Sequence, residues 1–148
     1  MGYNVSRSSG LNKTVETIIK YGDISTAATT NTYEAIQIPI YGVVKSVAYI
    51  VDTEFDGGAT SEMTVQIGDG TDPNGYITAK SVHVDGTAVL TGIVDGAYLN
   101  DSTTNNVING KQYAAADTLD VLFTATGANL SVLTQGSLRV IVEYLDIA

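Results

Sequence analysis

The feature that most constrains this chain is a recurring two-residue turn signal. Asp56-Gly57, Asp69-Gly70, Asn74-Gly75, Asp85-Gly86, Asp95-Gly96 and Asn109-Gly110 punctuate the 148 residues. Asn, Asp and Gly tolerate the positive φ that tight turns demand. Most of the intervals between signals are the length of one short strand, and within them apolar and polar residues alternate. Met63, Val65 and Ile67 oppose Glu62, Thr64 and Gln66. Leu119, Val121, Phe123 and Ala125 oppose Thr118, Asp120 and Thr124. Leu138, Val140, Val142 and Tyr144 oppose Arg139 and Glu143. A period of two means strands with one buried face and one wet face.

Other segments are less regular. Ile36, Ile38 and Ile40 alternate, but Pro39 lacks an N–H and points to a sheet edge. Val43 to Val51 is apolar on both faces, which suits a central strand or one lying under a partner. The parity change between Ile77/Ala79 and Val82/Val84 asks for a bulge or bend near Lys80. In Thr14 to Tyr21, Val15, Ile18 and Ile19 have helical spacing and Gly22 could close a helix. The β-branched content and the Val15/Thr17/Ile19/Tyr21 alternation favour a strand. Ala114 to Ala116, within Tyr113 to Asp117, fits one helical turn. The sum is about eight strands, hence an all-β, antiparallel β-sandwich of jelly-roll-like architecture. Ser25 to Thr32 and Ala97 to Asn109 read as exposed connections or contact arms. Residues 1–13 read as a flexible N-terminal arm and residues 14–148 as a single sandwich domain.

Composition removes several classes of function. With no Cys there is no disulfide scaffold, thiolate metal site or cysteine nucleophile, and one His cannot supply two imidazole ligands. Sixteen acidic residues against seven basic ones give a net charge of −9, which argues against nucleic acid as a partner. Only 16% of residues are charged, against about 25% in ordinary soluble domains. The surface must then be covered by Thr, Ser, Asn and Gly, as suits packed β structure and surfaces shared with other copies. No stretch approaches the roughly 20 apolar residues of a membrane-spanning helix. Val43 to Val51 is interrupted by Lys45 and Ser46, and the opening MGYNVSRSSGLNK lacks the apolar run of a secretory signal. The N-x-Ser/Thr triplets at Asn4, Asn12, Asn100 and Asn129 read as chance in a chain rich in these residues.

No constellation of residues assigns catalysis, and no cofactor or metal ligand is assigned. Ser81, His83 and Asp85 alternate onto one strand face, but residues two apart lie ~6.6–6.8 Å apart along a strand, too far for an aligned relay. Asp52, Glu54 and Asp56 could serve glycoside hydrolysis or hold a cation; a solvated strand face is the simpler reading. The loop GDGTDPNG, Gly68 to Gly75, resembles a calcium loop until Pro73 and Lys80 break the pattern, and a hairpin turn explains it. Whether Asp52/Glu54/Asp56 or the Asp69 to Asp72 loop binds a cation stays open. Gly110-Lys111 lacks the rest of a phosphate loop. Charge placement says more. Up to Lys20 the chain carries Arg7, Lys13 and Lys20 against Glu16, whereas Ile50 to Gly110 carries nine acids against Lys80 alone. A basic arm of this kind can dock on an acidic protein surface.

Three runs carry a resemblance: Tyr113-Ala-Ala-Ala-Asp-Thr-Leu-Asp-Val121, then Phe123-Thr-Ala-Thr-Gly-Ala128, then Leu133-Thr-Gln-Gly-Ser-Leu-Arg-Val140. With IGDGTDPNGYITA, from Ile67 to Ala79, they span roughly half of the chain. They resemble small virion proteins of tailed bacteriophages, the β-sandwich capsid decoration (cement) or head-fibre proteins. The resemblance implies a non-enzymatic, jelly-roll-like protein made in the host cytoplasm, forming a homotrimer and fixed by the major capsid protein to the outside of the capsid. On that reading Arg7, Lys13 and Lys20 dock on the shell, and Tyr41, Val43, Val47 and Tyr49 serve subunit packing or the core. The alternative is a receptor- or carbohydrate-binding module of a phage fibre or tail, with Tyr98 and Asn100 to Asn106 as its recognition loop.

Overall fold

The alternating segments pair as one long hairpin rolled onto itself. The computed structural model describes residues 11–83, 91–92, 95–101, 106–107 and 110–147. The strands are β1 (Leu11–Lys20), β2 (Thr30–Ile38), β3 (Val43–Asp56), β4 (Glu62–Gly68), β5 (Ile77–Ser81), β6 (Thr91–Gly92), β7 (Asn100–Asp101), β8 (Asn106–Val107), β9 (Lys111–Gln112), β10 (Asp117–Thr126) and β11 (Gln135–Asp146). One sheet runs β1-β11-β3-β6, with β9 also on β3; the other runs β2-β10-β4-β5; β7 and β8 form a small hairpin. Setting aside β7, β8 and β9, the first strand pairs the last, the second the second-last, the third β6 and the fourth β5, all antiparallel. That is the eight-stranded jelly-roll order, and the all-β antiparallel sandwich holds as expected.

The alternation drives the layering. Val44, Val47, Tyr49, Val51, Leu138 and Val140 of the first sheet face Ile36, Met63, Val65, Ile67, Val121 and Phe123 of the second, all buried. Burying each large apolar side chain contributes about 1.5–3 kcal/mol. Phe55 and Phe123 meet across the two layers with ring centroids 5.4 Å apart. Gly136, at φ +145°, lies against that Phe55 ring, where a Cβ would come within 2.2 Å of a ring carbon. The strand there needs glycine for conformation and for space.

Several local expectations are corrected. β1 is a strand, as the alternation favours, but it starts at Leu11. Residues 11–13 of the expected arm therefore lie in the sheet, while residues 1–10 fall outside the described residues. Tyr21, expected to extend the alternation, opens a 3-10 turn (Tyr21–Ile24) and is 40% exposed. β2 begins at Thr30, inside the segment read as a connection, and stops before Pro39 at the edge of its sheet, so Ile40 is exposed. β3 is central, between β11 and β6. The bulge expected near Lys80 is present: Lys80 pairs Val65 but Ile77 pairs Ile67. Ala114 and Ala115 form a bend, and Ala114 to Ala116 make no helical turn. Among the described residues no helix is long and apolar enough to cross a membrane.

Candidate functional site

The acidic groups singled out in the sequence are held by internal partners. β3 and β11 slip register twice between Gln135 and Leu138, alongside Asp52, Glu54 and Asp56. Asp52 takes both arms of Arg139, at 2.9 and 3.2 Å. Glu54 accepts from Gln135 at 3.2 Å, and Asp56 accepts from the Gly57 N–H at 2.7 Å. The Ser81 hydroxyl lies 2.7 Å from Glu62 Oε1, and His83 Nδ1–H donates to the Phe55 carbonyl at 3.0 Å. That bond first, and the nearby Asp56 carboxylate, raise the His83 pKa. Asp85 lies outside the described residues. Among the described residues no group of three His, Cys, Asp or Glu side chains is arranged to hold a metal ion.

The β4–β5 loop is the hairpin connection expected, and Asp69 is its anchor. Its carboxylate is 3% exposed. Oδ1 accepts from the N–H groups of Thr71 and Asp72, both at 2.9 Å, and from Tyr98 Oη at 2.9 Å. Oδ2 accepts from Tyr113 Oη at 3.0 Å, and Tyr113 Oη lies 2.7 Å from Tyr76 Oη. Burial pushes the carboxyl pKa up, but these hydrogen bonds outweigh it and hold it below the usual carboxylate value. Burial first, and then the neighbouring oxygens, raise the tyrosine pKa values well above the ordinary one. The Tyr98 ring stands edge-on to Tyr76 at 5.1 Å and under Lys111 Nζ at 4.1 Å. Gly75 makes room for it. Tyr98, read from sequence as a recognition residue, is therefore half-buried in a structural knot. Of its loop, Asn100–Asp101 and Asn106–Val107 are strands and residues 102–105 lie outside the described residues. Asn-Gly spacing announced the loop; nothing in the sequence announced its three tyrosine partners.

The basic residues of β1 lie at the outer edge of its sheet. β1 pairs β11 through ten consecutive residues without a bulge, Leu11↔Asp146 to Lys20↔Ser137. It lies at the end of the strand order, with no second strand neighbour among the described residues. Thr17 Oγ1 donates to the Ala35 carbonyl of β2 at 2.9 Å, tying the two sheets there. Towards the start of β1 the layers part around a groove of about 550 Å³, lined by Lys13, Gln37, Ile38, Asp117, Tyr144 and Asp146, among others. Lys13 Nζ bonds Asp146 at 2.6 Å, a contact that raises the lysine pKa. Among the described residues seven large hydrophobic side chains are exposed. Four of them, Leu11, Ile40, Tyr41 and Ile147, sit within two residues of a groove-lining position.

Of the docking candidates, Lys13 and Lys20 both lie on β1 and both are exposed, while Arg7 lies outside the described residues. Of the subunit-packing candidates, Val47 and Tyr49 are 2% and 4% exposed and face the sandwich interior, so their packing is within the chain. Val43 is half-buried on β3. Tyr41 is 50% exposed at φ 63° in the β2–β3 turn, a conformation costing an L-residue roughly 1–2 kcal/mol.

The fold is shared with chains of solved phage capsid structures. A chain in the capsid asymmetric unit of cyanophage Pam1 superposes with a TM-score of 0.63 at 16% identity, over 98% of this chain and 91% of the other. A chain in the capsid of Ralstonia phage GP4 gives 0.55 at 17% identity over 99% and 91%. A chain in the acidic stable capsid of Helicobacter pylori bacteriophage KHP30 gives 0.52 at 13% identity over 95% and 91%. No protein-family model and no curated protein matches the sequence.

Proposed function

We propose that the chain is a non-enzymatic structural protein of a phage virion that binds the outside of the capsid and decorates or stabilises the shell. The observation that carries this reading is the fold: a complete jelly roll, superposing over nearly the full length of both chains on components of three phage capsid structures. The interior of the domain supports it, since His83 and the carboxylates of Asp52, Glu54 and Asp56 have internal partners. The surface supports it as well. Low charge, an exposed basic strand and apolar residues round an open rim suit contact with a large protein assembly. We place shell docking at Lys13 and Lys20, with Arg7 ahead of them, and the major capsid protein as partner. Subunit packing narrows to Tyr41 and Val43, in a homotrimer. Tyr41 holds a costly left-handed conformation while exposing its ring, as expected of a contact residue.

Co-sedimentation with shells purified from particles that lack the protein tests the reading. The chain is expected to pellet with shells, and removal of residues 1–10 is expected to weaken pelleting while the melting transition persists. A folded protein that stays in the supernatant overturns the proposal. Light scattering reads the oligomer: a monomer both free and on shells removes the trimer. Binding to host glycans instead of shells would favour the fibre-module alternative, which loses Tyr98 as a free recognition residue.

A further inference from the structure

Resting on the shell-docking reading, we infer that the free edge of β1 is where the partner binds, by adding an extended strand of the shell protein to the sheet. Exposed strand edges present a row of N–H and C=O groups whose best complement is another extended backbone. Among the described residues the other sheet edges offer less. β2 carries a bulge at Ala35 and is stopped by Pro39. β5 is five residues long with a register break, and at the β6 edge the described strand residues are Thr91–Gly92. β1 is ten residues long, free of proline and in unbroken register with β11. Such an edge carries none of the devices that blunt strand pairing except three charges, Lys13, Glu16 and Lys20.

The groove supplies the second observation. An added strand beside β1 runs along the parting between the layers, and at the Lys13 end its inward side chains reach the cavity of about 550 Å³. In strand addition, backbone bonds give affinity and pockets for alternate side chains give specificity. Asp117 and Asp146 outnumber Lys13 among the charges lining this pocket, so it fits a polar or basic side chain. Leu11, Ile40, Tyr41 and Ile147 round it fit an apolar flank. Charge also separates the candidate occupants. β1 carries two lysines against one glutamate, whereas the chain as a whole carries −9; a second copy is repelled at long range, and a less acidic shell segment is not.

Amide hydrogen exchange on the full chain, free and bound to shells lacking the protein, tests the inference. Bound protein is expected to slow exchange across residues 11–20 but not across β2, residues 30–38. Unchanged β1 exchange in shell-bound protein overturns the inference and leaves the docking reading intact; failure to bind shells overturns both. Slowing of β1 that appears in concentrated protein without shells overturns it in favour of a second copy. Thr14→Pro and Val15→Pro give an independent check, because neighbouring N–H groups alternate between β11 and the free edge. Whichever variant keeps the native melting transition has lost an outward N–H, and its shell affinity is expected to fall about tenfold. A folded variant that binds within about twofold of the parent overturns the inference.

Discussion

The run from Tyr113 to Thr118 joins two polar clusters that use similar residues in opposite ways. On one side Tyr113 closes the Asp69 knot, where a buried carboxylate receives four hydrogen bonds, two of them from tyrosine hydroxyls, and Tyr76 meets the Tyr113 hydroxyl behind it. On the other, Ala116 to Thr118 line the rim groove, where Lys13 and Asp146 pair in view of solvent beside an unpaired strand edge. Aspartate and tyrosine make up both, with a lysine at each. The knot turns its polar groups inside the chain and fixes a loop; the rim holds its Lys13–Asp146 pair at the surface. What separates the two clusters is burial, not residue type.

Breaking the knot should cost most. Asp69→Ala strands two hydroxyls and two backbone N–H groups in a buried site and is expected to lose about 3 kcal/mol or more, read from the denaturant midpoint. The same carboxyl links stability to pH. Its folded pKa lies below the unfolded one, so its contribution is complete above the ordinary carboxylate value of about 3.9 and is lost as pH falls through the lower folded value. Acid titration of Asp69→Asn should show a flatter stability profile across that window. Next comes Tyr113→Phe, which removes the hydroxyl shared by Asp69 and Tyr76 and should cost about 1–2 kcal/mol in thermal melts.

Asp120 sharpens the contrast with the opposite sign. It sits beside Gly68 on the same strand pair, is 9% exposed, and has one carboxylate oxygen without a hydrogen-bond partner. Burial first, and then Glu34, Asp117 and Asp69, raise its pKa against the opposing Thr118 hydrogen bond. Ionisation therefore destabilises the folded state as pH rises from the ordinary value through the raised one. Asp120→Asn should stabilise the protein at neutral pH by about 1 kcal/mol, measured by calorimetry. The smallest effect belongs to the rim: Lys13→Ala should leave the melting temperature unchanged, since an exposed pair contributes little, while shell binding weakens. A Lys13 variant that melts early would place the rim with the knot as a structural element.

Much of the fold was legible in the sequence because its signals are local. The alternation in Glu62 to Ile67, Thr118 to Ala125 and Leu138 to Tyr144 assigns strands and faces without knowledge of neighbours. Asp56-Gly57 and Asn74-Gly75 mark turns for the same reason. The candidate site was only half legible. Lys13 and Lys20 were picked out by charge, but their place on a regular edge strand depends on β11. Tyr98 was misread because its partner Asp69 lies 29 residues away. For Val47 and Tyr49 the sequence left core and subunit packing open, because an apolar run does not say whether the chain or a partner covers it; both are buried within the chain.

By itself the sequence determined the all-β class, the strand count, the inward faces and the absence of thiol chemistry, since each follows from residue type and short-range spacing. Only the tertiary structure decided the rolled strand order, the register breaks between β3 and β11, the Asp69 knot and the open rim. Those depend on pairs such as Asp69 with Tyr113, 44 residues apart, and Lys13 with Asp146, 133 apart. Contacts at such separations are set by how the whole chain closes, because loop closure and core packing settle together.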